Sequence, residues 1–269
     1  MFLSTSEDFT VAEILIEQLA TQGPLLRACA NAALPVAMTE NHSAAYPGAQ
    51  SPRLGCRTSG DHSNLRLILV VEGNHDAEFL KRISRILAAS DSSLPDIIQW
   101  ESEGTVAFVP NNGASSPFAT GFSSDGPAEF HLLDRETEPK TTQRETQARA
   151  RNCRPNCQAV LTSKRALENY LHPDAISEAS GSEAGFGDFD AVAEIVARAS
   201  FQSDESRRWQ SLSRRARRRL RDKAKKWLNR EAVDCLTPER LAERDPDDEV
   251  IGWLQTIAEL VGVEAEPSV

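Results

Sequence analysis

The 269-residue chain lacks any apolar run of about 18 residues, the length a helix needs to cross a bilayer. It also lacks a basic-then-apolar leader pattern at its start, so neither membrane insertion nor export is expected, and a cytoplasmic location is. No Gly-x-x-x-x-Gly-Lys-Ser/Thr occurs, which leaves out the ATP-binding loop, and no Gly-x-Ser-x-Gly, which leaves out the serine-hydrolase elbow. Cysteine is sparse: Cys29, Cys56, Cys153, Cys157 and Cys235 are an odd number without a regular framework, consistent with reduced thiols. Cys153-x-x-x-Cys157 suggests zinc by spacing, but no second Cys or His pair follows at ligand distance, so structural zinc is not expected. What is present is a hydrophobic content of 40%, enough for one large domain or a core with additions.

A net charge of -10 argues against a protein that coats nucleic acid along its whole surface. The average hides an asymmetry. Residues 207–230 hold 12 of the 30 Lys and Arg and one of the 40 acids, Asp222. Leu212, Ala216, Leu220 and Trp227 supply a burial stripe there, so a solvated amphipathic helix is the plainer reading. Like charges at i,i+4 destabilise a helix, however, and a polyanionic partner explains such density better. Arg214, Arg218, Arg221 and Lys225 are the candidate nucleic-acid contacts, with Lys164 and Arg165 after a strand end as further ones.

The chain divides into an appendage over 1–64, a core over 65–175 and a mostly helical extension over 176–269. Within the core, strand and helix alternate. Strands are predicted at 67–71, 96–100, 105–109, 130–133 and 158–161, with helices at 75–89, N-capped by Asn74, and at 164–171, stopped by Pro173. Helices at about 189–199, through the basic stretch and at 248–261 follow. This pattern predicts an α/β fold, a parallel sheet with helices on both faces and a helical C-terminal extension.

Two strand ends carry acids: Leu67-Ile68-Leu69-Val70-Val71-Glu72-Gly73-Asn74-His75-Asp76 and His131-Leu132-Leu133-Asp134-Arg135-Glu136. A buried parallel strand ending in a carboxylate places it where α/β folds bind ligands. Side chains two apart on extended chain share a face, so Asp134 and Glu136 converge if the strand continues that far. Several facing carboxylates repel unless a hard divalent ion neutralises them, which predicts Mg²⁺ or Mn²⁺. His75 and His131 flank the motifs as packing residues, because magnesium prefers oxygen.

Glu-Gly-x-x-Asp at 72–76, Leu-Leu-Asp-x-Glu at 132–136 and Leu-Glu-Asn-Tyr-Leu at 167–171 together resemble the Toprim domain, closest to the OLD-type (overcoming lysogenization defect) nucleases. The resemblance covers roughly residues 65–175. It implies a Toprim-like Rossmannoid sheet and hydrolysis of phosphodiester bonds in DNA with two metal ions. Glu72, Asp134 and Glu136 would be direct ligands, and Asp76 and Glu168 would complete the cluster. The family pattern has Asp where this chain has Glu136. A catalytic lysine is implied late in the region, at Lys226 or Lys225, with Lys226 taken as catalytic. With only Tyr46 and Tyr170, neither well placed, a topoisomerase nucleophile is not expected. An RNA-processing Toprim enzyme, a non-cleaving module working with a separate ATPase partner, and a homodimer remain open.

Overall fold

The computed structural model describes residues 64–111, 126–202 and 208–262. The expected appendage lies outside them apart from its last residue. Four strands, β1 (Leu67–Val71), β2 (Val106–Pro110), β3 (Ala128–Leu133) and β4 (Cys157–Leu161), form one sheet in the order β2-β1-β3-β4. Every neighbouring pair is parallel. All five residues of the central β1 are buried, as a strand covered on both faces requires.

Helix α1 (Asn74–Ser90) follows β1, turning Phe79, Leu80, Ile83 and Leu87 into the core. Its N-cap is Gly73 rather than Asn74, and the Asp76 carboxylate accepts the Gly73 N–H at 2.8 Å. The expected strand at 96–100 is instead helix α2 (Ile97–Ser102), because the Asp96 side chain caps it by accepting from the Ile98 and Gln99 amides. Helix α3 (Lys140–Asn152) covers the second face beside β3 and β4, where Leu133, Ala148 and Ala159 cluster. The segment 164–171 forms only a short 3₁₀ turn, Leu167–Tyr170. Pro173 starts a helix, α4 (Pro173–Ser180), instead of stopping one, since the first helical position has no N–H to lose.

The extension contains α5 (Val192–Phe201), α6 (Arg214–Trp227), α7 (Pro238–Arg244) and α8 (Glu249–Val261). Val250, Trp253, Leu254 and Ile257 of α8 complete the main core with α1, Phe130 and Leu132. Ser213 caps α6 by accepting the Ala216 amide at 3.2 Å, and a π-helical segment, Leu228–Ala232, continues it. The whole is a small parallel sheet flanked by helices, a Rossmann-like α/β arrangement with a helical C-terminal extension. Among the described residues no helix is long and apolar enough to cross a membrane.

Candidate functional site

After β1 the chain lays β2 on one side, then returns to place β3 on the other, so the strand order reverses between β1 and β3. A crevice outside the carboxyl ends of such a pair is where open α/β sheets bind ligands. Glu72 directly follows β1 and Asp134 directly follows β3, so both acids stand at this point. Asp76 joins them from the first turn of α1, its Oδ2 held by the Gly73 amide and its Oδ1 left for the crevice. Glu168 arrives from the 3₁₀ turn after β4, with Oε1 accepting Asn229 Nδ2 at 2.9 Å.

Lys225 stands between these acids. Its Nζ lies 2.9 Å from Asp76 Oδ1, 3.4 Å from Glu168 Oε1 and 3.7 Å from Asp134 Oδ2. Burial disfavours the lysine charge, yet Glu168, Asp134 and Asp76 outweigh it and hold the ammonium well above the usual lysine range. Burial pushes the Asp134 carboxyl well up; Lys225 opposes the rise, while Asp76, Glu72 and Glu168 add to it. Glu72 is raised for the same first reason, burial, against the pull of the Arg144 guanidinium that pairs with it from α3. The site is therefore a nest of crowded carboxylates held by two cations.

These groups line an open cleft of about 630 Å³. Arg218, Arg221 and Lys225 of α6 face it together, being spaced i, i+3 and i+7, while Arg221 also pairs with Glu194 at 3.2 Å. Arg214, one turn earlier on the same face, is exposed. Arg165 lines the cleft and donates to the Phe189 carbonyl at 3.2 Å. Lys164 does not reach it: the side chain is buried, pairs with Asp188 at 2.9 Å and lies over the Tyr170 ring. Lys226 does not line the cleft either: it is exposed, one helical step turning it about 100° from Lys225. The lysine among the carboxylates is Lys225.

Glu136 departs from expectation in a different way. The strand ends at Leu133, and Glu136 sits in a turn with φ 59°, its amide donating to the Arg165 carbonyl at 2.7 Å. The two-residue alternation that would pair it with Asp134 therefore stops short. Glu136 still lines the cleft mouth, where Lys140 approaches it at 3.1 Å.

Two participants in the cleft were not anticipated. Arg144 lies on a helix with almost no apolar residue to announce it. Asn229 is four residues after Lys225, a spacing that puts both on the face turned to Glu168 and that was legible in Lys225-Lys226-Trp227-Leu228-Asn229. A second group, Glu129, His131 and Cys157, has ligand atoms that all lie within 4.8 Å of one another and is able to coordinate a metal ion. Its signal was Glu129-x-His131 on one face of a strand. Burial opposes charge on Glu129, but hydrogen bonds from His131 and Arg154 hold its carboxyl below the usual range. Burial lowers the His131 imidazole and, with Glu129, raises the Cys157 thiol.

Comparison with known proteins gives no match to a family model, to a curated protein or to a solved structure.

Proposed function

We propose that the chain is a divalent-metal-dependent phosphodiester hydrolase of Toprim type, nearest to the OLD-like nucleases, with DNA as its substrate. One observation carries the reading: acids from three separate segments, Asp76, Asp134 and Glu168, gather within 4 Å of one ammonium, with Glu72 in the same cleft at the sheet switch point. Such a convergence costs stability unless cations share it, and Mg²⁺ and Mn²⁺ take oxygen ligands of this kind. The donor set fits them. Glu72 Oε1 and Asp76 Oδ1 are buried and make no hydrogen bond of regular geometry, each facing only a cation.

Glu72, Asp76, Asp134 and Glu168 are the residues that would hold the metal, which supplies charge neutralisation and an acidified water. The chain's own groups do the rest. Lys225 stands ready to offset negative charge growing on a phosphate or leaving oxygen. Arg218, Arg221 and Arg165 hold the backbone phosphates along the cleft, and Arg214 extends that track.

A cleavage panel tests the proposal: linear, nicked, supercoiled and single-stranded DNA, and structured RNA, each with Mg²⁺, Mn²⁺ or EDTA. Cutting of DNA that EDTA stops and that Glu72→Gln and Asp134→Asn abolish is the expected result. Cutting at the wild-type rate in either variant, or in EDTA, overturns it; preference for RNA moves the substrate to the alternative class. A second reading, a module that binds nucleic acid without cleaving it beside an ATPase partner, is favoured by Lys225 and Arg144 already neutralising the acids. Tight binding without cutting under any of these ions would select it.

A further inference from the structure

We propose that Glu129, His131 and Cys157 form a second metal site, one for a thiophilic divalent transition-metal ion of the zinc type, separate from the oxygen-only cleft. The sheet builds it. Glu129 and His131 are two apart on β3 and share a face, and the register places Cys157 of β4 directly beside Glu129. Glu129 and His131 are 3% and 1% exposed and Cys157 is half-buried, so an interior nitrogen and oxygen meet a sulfur that solvent can reach. Their ligand atoms lie within 4.8 Å of one another, with Glu129 Oε2 at 2.7 Å from His131 Nε2 and 3.9 Å from Cys157 Sγ. A tetrahedral ion with bonds of about 2.0–2.3 Å needs ligands roughly 3.3–3.8 Å apart, so small side-chain adjustments suffice.

The carboxylate divides its work. Oε1 is taken by Arg154, an outer partner that orients the group, while Oε2 faces the imidazole and the thiol. The ring nitrogen offered to the site is Nε2, which faces Glu129 Oε2, and imidazole is a common ligand of such ions. The mixed donor set excludes magnesium and suits zinc or cobalt, with a fourth position left for water. On binding, the Cys157 S–H bond breaks as the sulfur–metal bond forms, and the proton passes to solvent without any redox change. The two metal chemistries lie at opposite ends of β3, Glu129 near its start and Asp134 past its end, about 16 Å apart at strand rise. A metal there ties β3 to the edge strand β4.

Cobalt(II) tests this on the full chain, reduced with a non-thiol reductant. One equivalent should produce a near-ultraviolet thiolate-to-cobalt charge-transfer band, and zinc should displace it while a large excess of Mg²⁺ does not. Cys157→Ser should remove the band, His131→Ala should weaken affinity by more than the roughly 10–100-fold that loss of an outer partner costs, and Cys153→Ser should leave it. Glu72→Gln should also leave it, which separates this site from the cleft whatever the cleft does. Zinc should raise the melting temperature of the wild type and not of Cys157→Ser. No band in the folded wild-type chain, or a band that survives in both Cys157→Ser and Cys157→Ala, overturns the proposal.

Discussion

Replacing Lys225 by Met keeps most of the aliphatic stem and removes the charge that three carboxylates surround. At 2.9, 3.4 and 3.7 Å, each pairing is worth about 5 kcal/mol at an effective dielectric of about 20, before the cost of taking the ammonium from water. That cost is several kcal/mol, so the net effect is smaller than the pairings suggest; removing one partner of such a cluster destabilises by roughly 3–5 kcal/mol. The stem is 28% exposed, but the charged end lies among acids that are themselves 4–6% exposed, so solvent screening does not erase the effect. In EDTA at neutral pH, Lys225→Met should melt roughly 6–20 °C below the wild type. Because folding raises the lysine's proton affinity, its contribution is complete below the ordinary lysine range and fades only as pH climbs through the higher folded value. The loss should shrink on acidification, when the orphaned carboxylates protonate. Millimolar Mg²⁺ should rescue the variant more than it stabilises the wild type, since the ion then replaces a missing cation. A deficit below about 1 kcal/mol, the range of an exposed surface pair, would refute the picture of an ammonium enclosed by acids.

Asp134→Asn should abolish cleavage and, in the metal-free protein, flatten the pH dependence of stability. The folded carboxyl sits well above its unfolded value, so wild-type stability falls as pH rises from the unfolded carboxylate range through the folded one, and urea titrations against pH should show that fall vanish in the variant. Replacing Arg214, Arg218 and Arg221 together by Gln should weaken DNA binding and flatten the dependence of log affinity on log salt by up to about 0.9 for each phosphate that is no longer neutralised; an unchanged slope would make that face of α6 a solvated surface. Asn229→Ala removes the Glu168 donor in a fully buried place and should cost about 1–3 kcal/mol in chemical denaturation, with no cost if Glu168 simply turns to water.

Much of this architecture is readable in the sequence alone. β1 is expected at 67–71 and is found there, because five apolar residues that end in Glu-Gly have no amphipathic alternative. The inward face of α1 follows from its spacing, since a 3.6-residue repeat needs no partner to be seen. What fails does so for local reasons. Ile97 and Ile98 resemble strand residues, but a capping Asp96 decides for helix. Helix α3 buries only Thr141 and Ala148, so it has no apolar period, and Arg144 with its pairing to Glu72 stays hidden for the same reason. The two strand-end acids are legible as a pair, whereas the lysine that joins them depends on the rotation of α6, a tertiary fact on which residues 225 and 226 are equivalent in sequence.

β3 shows how one short strand can separate two kinds of chemistry. Its side chains alternate, so Phe130 and Leu132 serve the main core while Glu129 and His131 turn to the other face. Where the strand stops, alternation stops too, and Asp134 is handed to the crevice with Glu136 swung to its mouth by the turn. The acids there are crowded and expensive, which an all-apolar strand end would avoid, and the fold offsets them with Lys225 and Arg144. Those cations come from α6 and α3, elements outside β1 and β3, so the charge balance of the crevice depends on how the flanking helices dock. A substrate that competes for Arg144, as a phosphate does, would release Glu72 for a metal at the moment both are needed. On the proposed reading the Arg144–Glu72 pair would then tie ligand binding to the charge state of the site, and this is testable: Arg144→Gln should raise metal affinity in the absence of nucleic acid, and calorimetric titration with Mn²⁺ showing no gain over the wild type would reject the coupling.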